Sequence, residues 1–350
     1  KKNKDILFID LIFYLSDFYF KNLKDQHVLK NDKAYELKSF VLDNLNKYLT
    51  FNVNQNSLIN AINNDQCIFV INDASKDNTK QVVEDLMSNN DKVILVNLEK
   101  NSGVGSAIVT GYKKAYDLNY DIGVVMPGDA QALPKDFDNL VAPIIDNSAD
   151  YTKGNRLKFK GVSKIMPKHR FFGNSILTLL TKFASGYYHI MDPQMGYTAL
   201  NLKLIPEINI DSLIKRYGYP GHLLYLLNLA DAVVHDVNVE PHYGEEKSGI
   251  NLITFVPKLC FLLIRLFFSR VFKKLIFQNL TPAGISYFFS FIMLFIGIPF
   301  LGYRALNYLF TKNYIPELTF IALSTFVILF FLFFLFGVMF DVQENKELHK

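Results

Sequence analysis

Asp121-Ile-Gly-Val-Val-Met-Pro-Gly-Asp-Ala-Gln-Ala-Leu-Pro-Lys-Asp136 is an apolar run that stops abruptly at Gly128-Asp129-Ala130-Gln131. Side chains alternate faces along a strand, so Asp129 and Gln131 leave on one side of its end. A carboxylate and an amide oxygen placed that way are half of a hard-cation site, of the kind that holds nucleotide phosphates. An Asp in a Gly-containing turn is also an ordinary turn residue, so the neighbouring segments have to decide.

Upstream, Cys67-Ile68-Phe69-Val70-Ile71 is a second short apolar run. It ends in the polar stretch Asn72-Asp73-Ala74-Ser75-Lys76-Asp77-Asn78-Thr79, and an amphipathic segment follows from Lys80 to Met87. That order reads as strand, loop, helix. A third unit repeats it: Val93 to Val96, then Asn101-Ser102-Gly103-Val104-Gly105, then a helical pattern through Ala107, Ile108, Gly111, Tyr112 and Ala115. Glycines ahead of a helix let backbone approach a bound phosphate. Further on, the pattern predicts a helix over 133–147, a strand over 150–154, a helix over 169–185, a strand over 196–200, a helix over 223–230 and an alternating edge strand over 232–240. Strands that alternate with helices make a mostly parallel sheet, whose ligands bind at the carboxyl ends of its strands.

These motifs, in this order, resemble the family 2 glycosyltransferases, and within them the branch that moves a sugar from a nucleotide to polyprenyl or dolichyl phosphate. The resemblance runs from about Cys67 to Gly249. It rests on Asn72 to Thr79, Asn101 to Gly111, Gly128 to Gln131, Lys153-Gly154-Asn155-Arg156, Asp192-Pro193-Gln194-Met195-Gly196-Tyr197-Thr198 and Tyr243-Gly244-Glu245-Glu246-Lys247-Ser248-Gly249. It implies a GT-A type α/β fold, a mostly parallel sheet sandwiched by helices. Three departures stand out. Asn72 replaces the first Asp of the family's acidic pair, and Pro127 occupies the first acidic position of the fuller metal motif. The family's first strand has only Tyr48 to Gln55 as a match.

The resemblance also implies roles. A divalent cation, Mg²⁺ or Mn²⁺, falls to Asp129 and Gln131, and a phosphate contact to Arg156, which would oppose charge developing on the leaving diphosphate. Asn72, Asp73, Asn101, Gly103, Gly105 and Gly128 are the nucleotide-binding set, with Asp73 near the base or ribose. Acceptor phosphate falls to Arg170 with Asn174, and to Lys247 with Ser248. A phosphate monoester has a second pKa near ~6 and needs no general base at neutral pH. Family members that act on hydroxyls place a carboxylate where this chain has Tyr219-Pro220-Gly221-His222, so its loss fits a phosphate acceptor. His222 as a base remains an alternative, and with it a hydroxyl acceptor; so does a degenerate, non-catalytic transferase-like membrane protein.

The chain of 350 residues is half hydrophobic and carries 32 Phe, and the excess is local. Neither 283–303 nor 318–340 contains a charged residue, and each is long enough for an apolar helix of ~20 residues to cross a bilayer. Ahead of them, Asn251 to Leu280 mixes Lys258, Arg265, Arg270, Lys273 and Lys274 with Phe, Leu and Ile, and no Asp or Glu occurs between Lys247 and Pro316. That composition predicts a basic amphipathic helix on an anionic membrane surface. By the positive-inside rule it puts the catalytic domain in the cytoplasm. The expected organisation is a helical extension of unknown role over 1–47, the transferase domain over 48–250, the surface helix over 251–280, two transmembrane helices within 281–343 and a cytoplasmic tail over 344–350. A net charge of +4, so concentrated, gives no reason to expect a nucleic-acid partner. Cys67 and Cys260 form no disulfide framework or zinc spacing, which fits a reducing compartment.

Overall fold

The computed structural model describes residues 6–11, 67–76, 78–88, 92–127, 132, 134–157, 168–216, 218–240 and 252–349. The chain divides into two compact units, Lys1–Leu263 with Leu348–Lys350, and Ile264–Glu347.

The first unit is built on a seven-stranded sheet. Its strands are β1 (Ile6–Leu11), β2 (Cys67–Asn72), β3 (Val93–Asn97), β4 (Ile122–Pro127), β5 (Tyr151–Asn155), β6 (Thr198–Asn201) and β7 (Val234–Asn238). Their order across the sheet is β3-β2-β1-β4-β6-β5-β7. Pairing is parallel for β1 with β2 and β4, for β2 with β3 and for β5 with β7, whereas β6 runs antiparallel to both neighbours. Two reversals cancel, so β5 and β7 point the same way as β4. The carboxyl ends of six strands therefore share one edge with the start of β6, and every motif loop quoted above for a strand end leaves from that edge.

Local sequence explains the elements. Ile68 to Ile71 and Ile122 to Met126 are buried throughout, as strands covered on both faces must be. Helix α1 (Thr79–Met87) turns Val83 and Leu86 inward, and α2 (Val104–Asp117) turns Ala107, Ile108, Gly111, Tyr112 and Ala115 inward. In α3 (Phe137–Ile145), Phe137, Leu140, Val141 and Ile144 make the apolar stripe expected of a helix lying on a sheet. Helix α4 (Lys168–Ser185) follows, and α5 (Tyr219–Leu229) is buried from Pro220 to Asn228 and is thus an interior helix. One core cluster joins Val70, Val83, Val124, Met126, Leu140 and Ala199, from strands and helices together.

One expectation changes. Ile6–Leu11, read as part of a helical extension, is strand β1, hydrogen-bonded between β2 and β4 in the middle of the sheet. Its apolar run carries Asp10 and lies far from the motif loops, so its pattern alone did not mark it. Tyr48 to Gln55 lies outside the described residues.

The second unit is helical. Helix α6 (Leu252–Arg270) crosses the division between units and continues as a π-helical stretch, Val271–Gln278, so the expected single surface helix is two segments. Then come α7 (Pro282–Ile292), a π-helical turn (Met293–Gly297), α8 (Ile298–Lys312) and α9 (Glu317–Glu344). Thr281 caps α7 by accepting from the Gly284 amide at 3.1 Å, with Pro282 at the first helical position. Pro282–Lys312 and Glu317–His349 are long and apolar enough to cross a membrane. Phe267, Phe268, Tyr287, Phe291 and Phe334 stack edge to face and tilted around one point of this unit. There Arg270 donates two bonds to Asp341, at 2.8 and 2.6 Å, with both side chains fully buried. Tyr287 Oη and Asn345 Nδ2 also donate to the Asp341 carboxylate.

Candidate active site

Asp73, just past the end of β2, is 1% exposed and accepts from the amides of Ser102 and Gly103 at 2.5 and 2.7 Å. Asn72 beside it donates to Asn97 Oδ1 at 2.7 Å and accepts from the Ser75 amide at 3.0 Å. The ends of β2 and β3 are thereby tied to each other and to the loop that opens α2. Asn101, Gly103 and Gly105, predicted for the nucleotide, are all in that loop.

Segment 214–216 of the chain packs directly on the glycines of this loop. A Cβ on Gly103, whose φ is +94°, would stand 2.5 Å from the Lys215 carbonyl oxygen and 2.7 Å from Arg216 Cγ, and one on Gly105 would collide with the Ile214 carbonyl. The amides of Gly105 and Ser106 both donate to the Lys215 carbonyl, at 2.8 and 3.3 Å. Backbone does approach these glycines closely, as their sequence requires, but it is the chain's own segment 214–216. The Gly105 and Ser106 amides in the first turn of α2 are thus taken up by the Lys215 carbonyl, and Asp73 holds the two amides just before the helix. Arg216 lies over this loop and donates to Asn101 Oδ1 at 3.4 Å.

Arg156 follows β5 at the same sheet edge. It is gripped by Asp192, with Nε to Oδ2 at 2.8 Å and a terminal nitrogen to Oδ1 at 3.3 Å, and its side chain remains 13% exposed. Asp192 opens the loop that leads into β6. Next to the pair, Asn155 Nδ2 and the Met191 amide both donate to Asp236 Oδ2 at 2.8 Å. Lys153 lies fully inside, with its ammonium on the Met195 carbonyl. Burial pushes its pKa down to about 8, against the pull of Asp192 and Asp236 and with the push of Arg156. Lys153 and Asp192 stand inside two of the sequence motifs, which imply no role for either, and Asp236 belongs to none of them. A lysine within an otherwise uncharged strand was the available signal.

His222, at the start of α5, is buried and stacked on Tyr225. Its Nδ1 accepts from the Ile214 amide at 3.1 Å, which requires Nδ1 to be unprotonated. Arg170 and Asn174 have their backbones on α4, and nothing is described of their side chains. Gly128, Asp129, Gln131, Lys247 and Ser248 lie outside the described residues. The strand that delivers the first three, β4, ends as expected at Pro127 on the carboxyl edge. One carboxylate and one amide at a strand end suit Mg²⁺ or Mn²⁺, which take a carboxylate or two plus substrate phosphates rather than a full protein cage.

Comparison with known proteins agrees with this architecture. The model of glycosyl transferase family 2 matches residues 39–208. The UDP-N-acetylglucosamine–dolichyl-phosphate N-acetylglucosaminyltransferase of Methanococcus voltae is 32% identical over 190 residues, 51% of this chain and 75% of that one. The undecaprenyl-phosphate mannosyltransferase of Micrococcus luteus is 24% identical over 53% of this chain and 77% of its own length. Among solved structures, residues 1–349 of S. aureus TarS with UDP-GlcNAc align at 12% identity and a TM-score of 0.47 over 99% of this chain and 92% of that one, too distant a likeness to carry residue roles. A mixed α/β domain with strand-end motif loops, matched by the family model and by relatives over most of their length, makes this chain a member of glycosyltransferase family 2 and a glycosyltransferase.

Proposed function

We propose that the protein is an inverting, metal-dependent transferase that moves a hexose from a UDP- or GDP-sugar to the phosphate of a polyprenol at the cytoplasmic face of a membrane. His222 is the observation that carries the acceptor class. Where hydroxyl-acting members of the family carry a carboxylate base, this chain has an imidazole whose Nδ1 lone pair is engaged by the Ile214 amide. Its other nitrogen then carries the proton in the neutral ring, so no base is held ready at that position. A phosphate acceptor asks for none. The relatives named for dolichyl- and undecaprenyl-phosphate support the same class.

In this reading Arg156, held bidentately by Asp192, faces the leaving diphosphate with a fixed cationic fork. Asp73 and Asn72 brace the nucleotide side of the edge, and Arg170, Asn174, Lys247 and Ser248 hold the acceptor phosphate. Asp129 and Gln131 would hold the cation, which when bound offsets charge on the departing diphosphate. The two apolar helices and the exposed Lys258, Arg265 and Lys273 of the stretch before them fit attachment to the membrane that carries the lipid, whereas Arg270, expected on that surface, is paired with Asp341 and Lys274 is buried.

The test is incubation of the purified protein with short-chain polyprenyl phosphate, a panel of UDP- and GDP-sugars, and Mg²⁺ or Mn²⁺. Formation of a polyprenyl-phosphate sugar is expected. Transfer to the unphosphorylated polyprenol, or nucleotide binding with no product from any donor, would overturn the reading in favour of a hydroxyl acceptor or a non-catalytic protein respectively.

A further inference from the structure

Lys153 is buried within β5, and its ammonium is turned to the Met195 carbonyl. An ammonium taken out of water costs several kcal/mol unless it is paired and hydrogen-bonded, so an apolar residue would fill this strand position more cheaply. What it touches explains its presence. Met191 to Tyr197, between α4 and β6, is fastened to the ends of β5 and β7 at successive points. The Met191 amide donates to Asp236, Asp192 grips Arg156, the Met195 carbonyl accepts from Lys153, and the Tyr197 carbonyl accepts from the Gly154 amide at 2.9 Å. The two carboxylates in this set are balanced by two cations, Lys153 and Arg156.

The same loop leans on the strand that leads to the metal motif. A Cβ on Gly196 would stand 2.9 Å from Pro127 Cγ and 3.2 Å from Tyr219 Oη, so glycine is needed for the loop to lie against the end of β4. Pro127 directly precedes Gly128-Asp129. The loop therefore joins the residue that orients Arg156 to the end of the strand that delivers Asp129.

We propose that Lys153 is a positioning residue for transfer: its buried ammonium pins the loop Met191–Tyr197 and so sets both the direction of Arg156 and the seat of the strand end before Asp129. This rests on the reading of Arg156 and Asp129 as transfer residues. The charged groups that face Lys153 are Asp192 and Asp236, which favour its protonated form, and Arg156, which opposes it; Lys182 on α4 in turn interacts with Asp236. With its pKa lowered to about 8, Lys153 is charged below that pH and neutral above it. The charge balance of the loop is then present at pH 7 and lost as pH rises through about 8.

Lys153→Met keeps length and burial while removing the charge. In the full chain, amide hydrogen exchange over 191–197 should quicken by about tenfold or more, while β2 and β4 keep their protection, a readout that needs no substrate. With the active donor found, kcat should fall by up to about 10²-fold, the usual cost of misplacing reacting groups by an ångström, with KM for the nucleotide sugar little changed. Wild-type kcat should decline as pH rises through about 8, and the variant should be low and lack that limb. Unchanged exchange over 191–197 would overturn the proposal whether or not any donor is turned over. Faster exchange in a protein that turns over no donor would uphold the pin and count against the proposed function alone. If the variant does not fold, wild-type exchange over 191–197, corrected for the chemical rate, should still fall between pH 7 and pH 9, because an opened loop returns Lys153 to its ordinary pKa and must take up a proton that becomes scarcer as pH rises; a flat profile would overturn it.

Discussion

The two units bury ionic groups in opposite settings. At the carboxyl edge of the sheet, Lys153 and Asp236 bond the backbone of the loop 191–197, Arg156 pairs with Asp192 of that loop, and Arg156 keeps 13% of its side chain exposed. In the helical unit, Arg270 and Asp341 have no exposed surface and sit among phenylalanine rings. Charges that stay partly accessible at a strand edge can act on a ligand. Charges sealed between helices can only hold those helices together, because nothing can reach them. Substitutions at the edge should therefore cost activity before stability, and those in the helical unit stability before activity.

The most severe test of that contrast is Asp129→Ala. A carboxylate at a strand end contributes little to folding, yet it is the only acidic residue of the Gly128 to Gln131 motif. Turnover should fall by at least about 10³-fold, comparable with losing a principal stabiliser of transition-state charge, while the thermal midpoint stays put. Excess chelator should do the same to the wild type. Full activity in either case would remove the metal from the site.

Arg270→Ala should show the reverse. It leaves the Asp341 carboxylate buried and uncompensated, at a cost of about 3–5 kcal/mol, and should lower the melting temperature in detergent. Replacing both partners by apolar residues, as in Arg270→Met with Asp341→Leu, should recover most of that loss. A double variant as unstable as the single one would mean that the pair does more than join helices.

The same contrast accounts for what the sequence disclosed. Strands β2, β3 and β4, helices α1 to α3 and both long apolar helices were legible because each is a local pattern: an apolar run stopped by a polar loop, a stripe at helical spacing, an uncharged stretch. So was the gathering of Asp73, Asn101 and Arg156 on one edge, which follows from parallel pairing. Contacts between distant segments were not legible. Glycines at 103 and 105 announce a close approach but not that Lys215 makes it. Strand β1 escaped because its partners, β2 and β4, lie far along the chain. Asp236 gave no sign, since an acidic residue in an edge strand looks solvent-facing until Asn155 and Met191 are seen to donate to it.

A smaller effect is expected at the acceptor residues. Replacing Lys247 and Arg170 by Ala should each remove a charge-assisted hydrogen bond of about 1.5–3 kcal/mol to the lipid phosphate. The loss should appear as a higher polyprenyl-phosphate concentration for half-maximal rate, with the dependence on nucleotide sugar unchanged. A shift in the nucleotide's dependence instead would move these residues to the donor side.

The smallest effect on catalysis should be at His222, and it decides the acceptor. The ring is buried, stacked on Tyr225, and accepts the Ile214 amide, so His222→Ala removes one buried hydrogen bond and some packing. That should cost about 1–3 kcal/mol of stability. It should also loosen segment 214–216, whose carbonyls lie against Gly103 and Gly105. Turnover should stay well short of the ~10²- to 10⁴-fold fall that follows loss of a general base. The measurement is kcat at saturating donor and lipid alongside the thermal midpoint of the same preparation. A lower midpoint with near-normal kcat is the outcome for a phosphate nucleophile. A normal midpoint with kcat down by about 10³-fold would make His222 the base and the acceptor a hydroxyl.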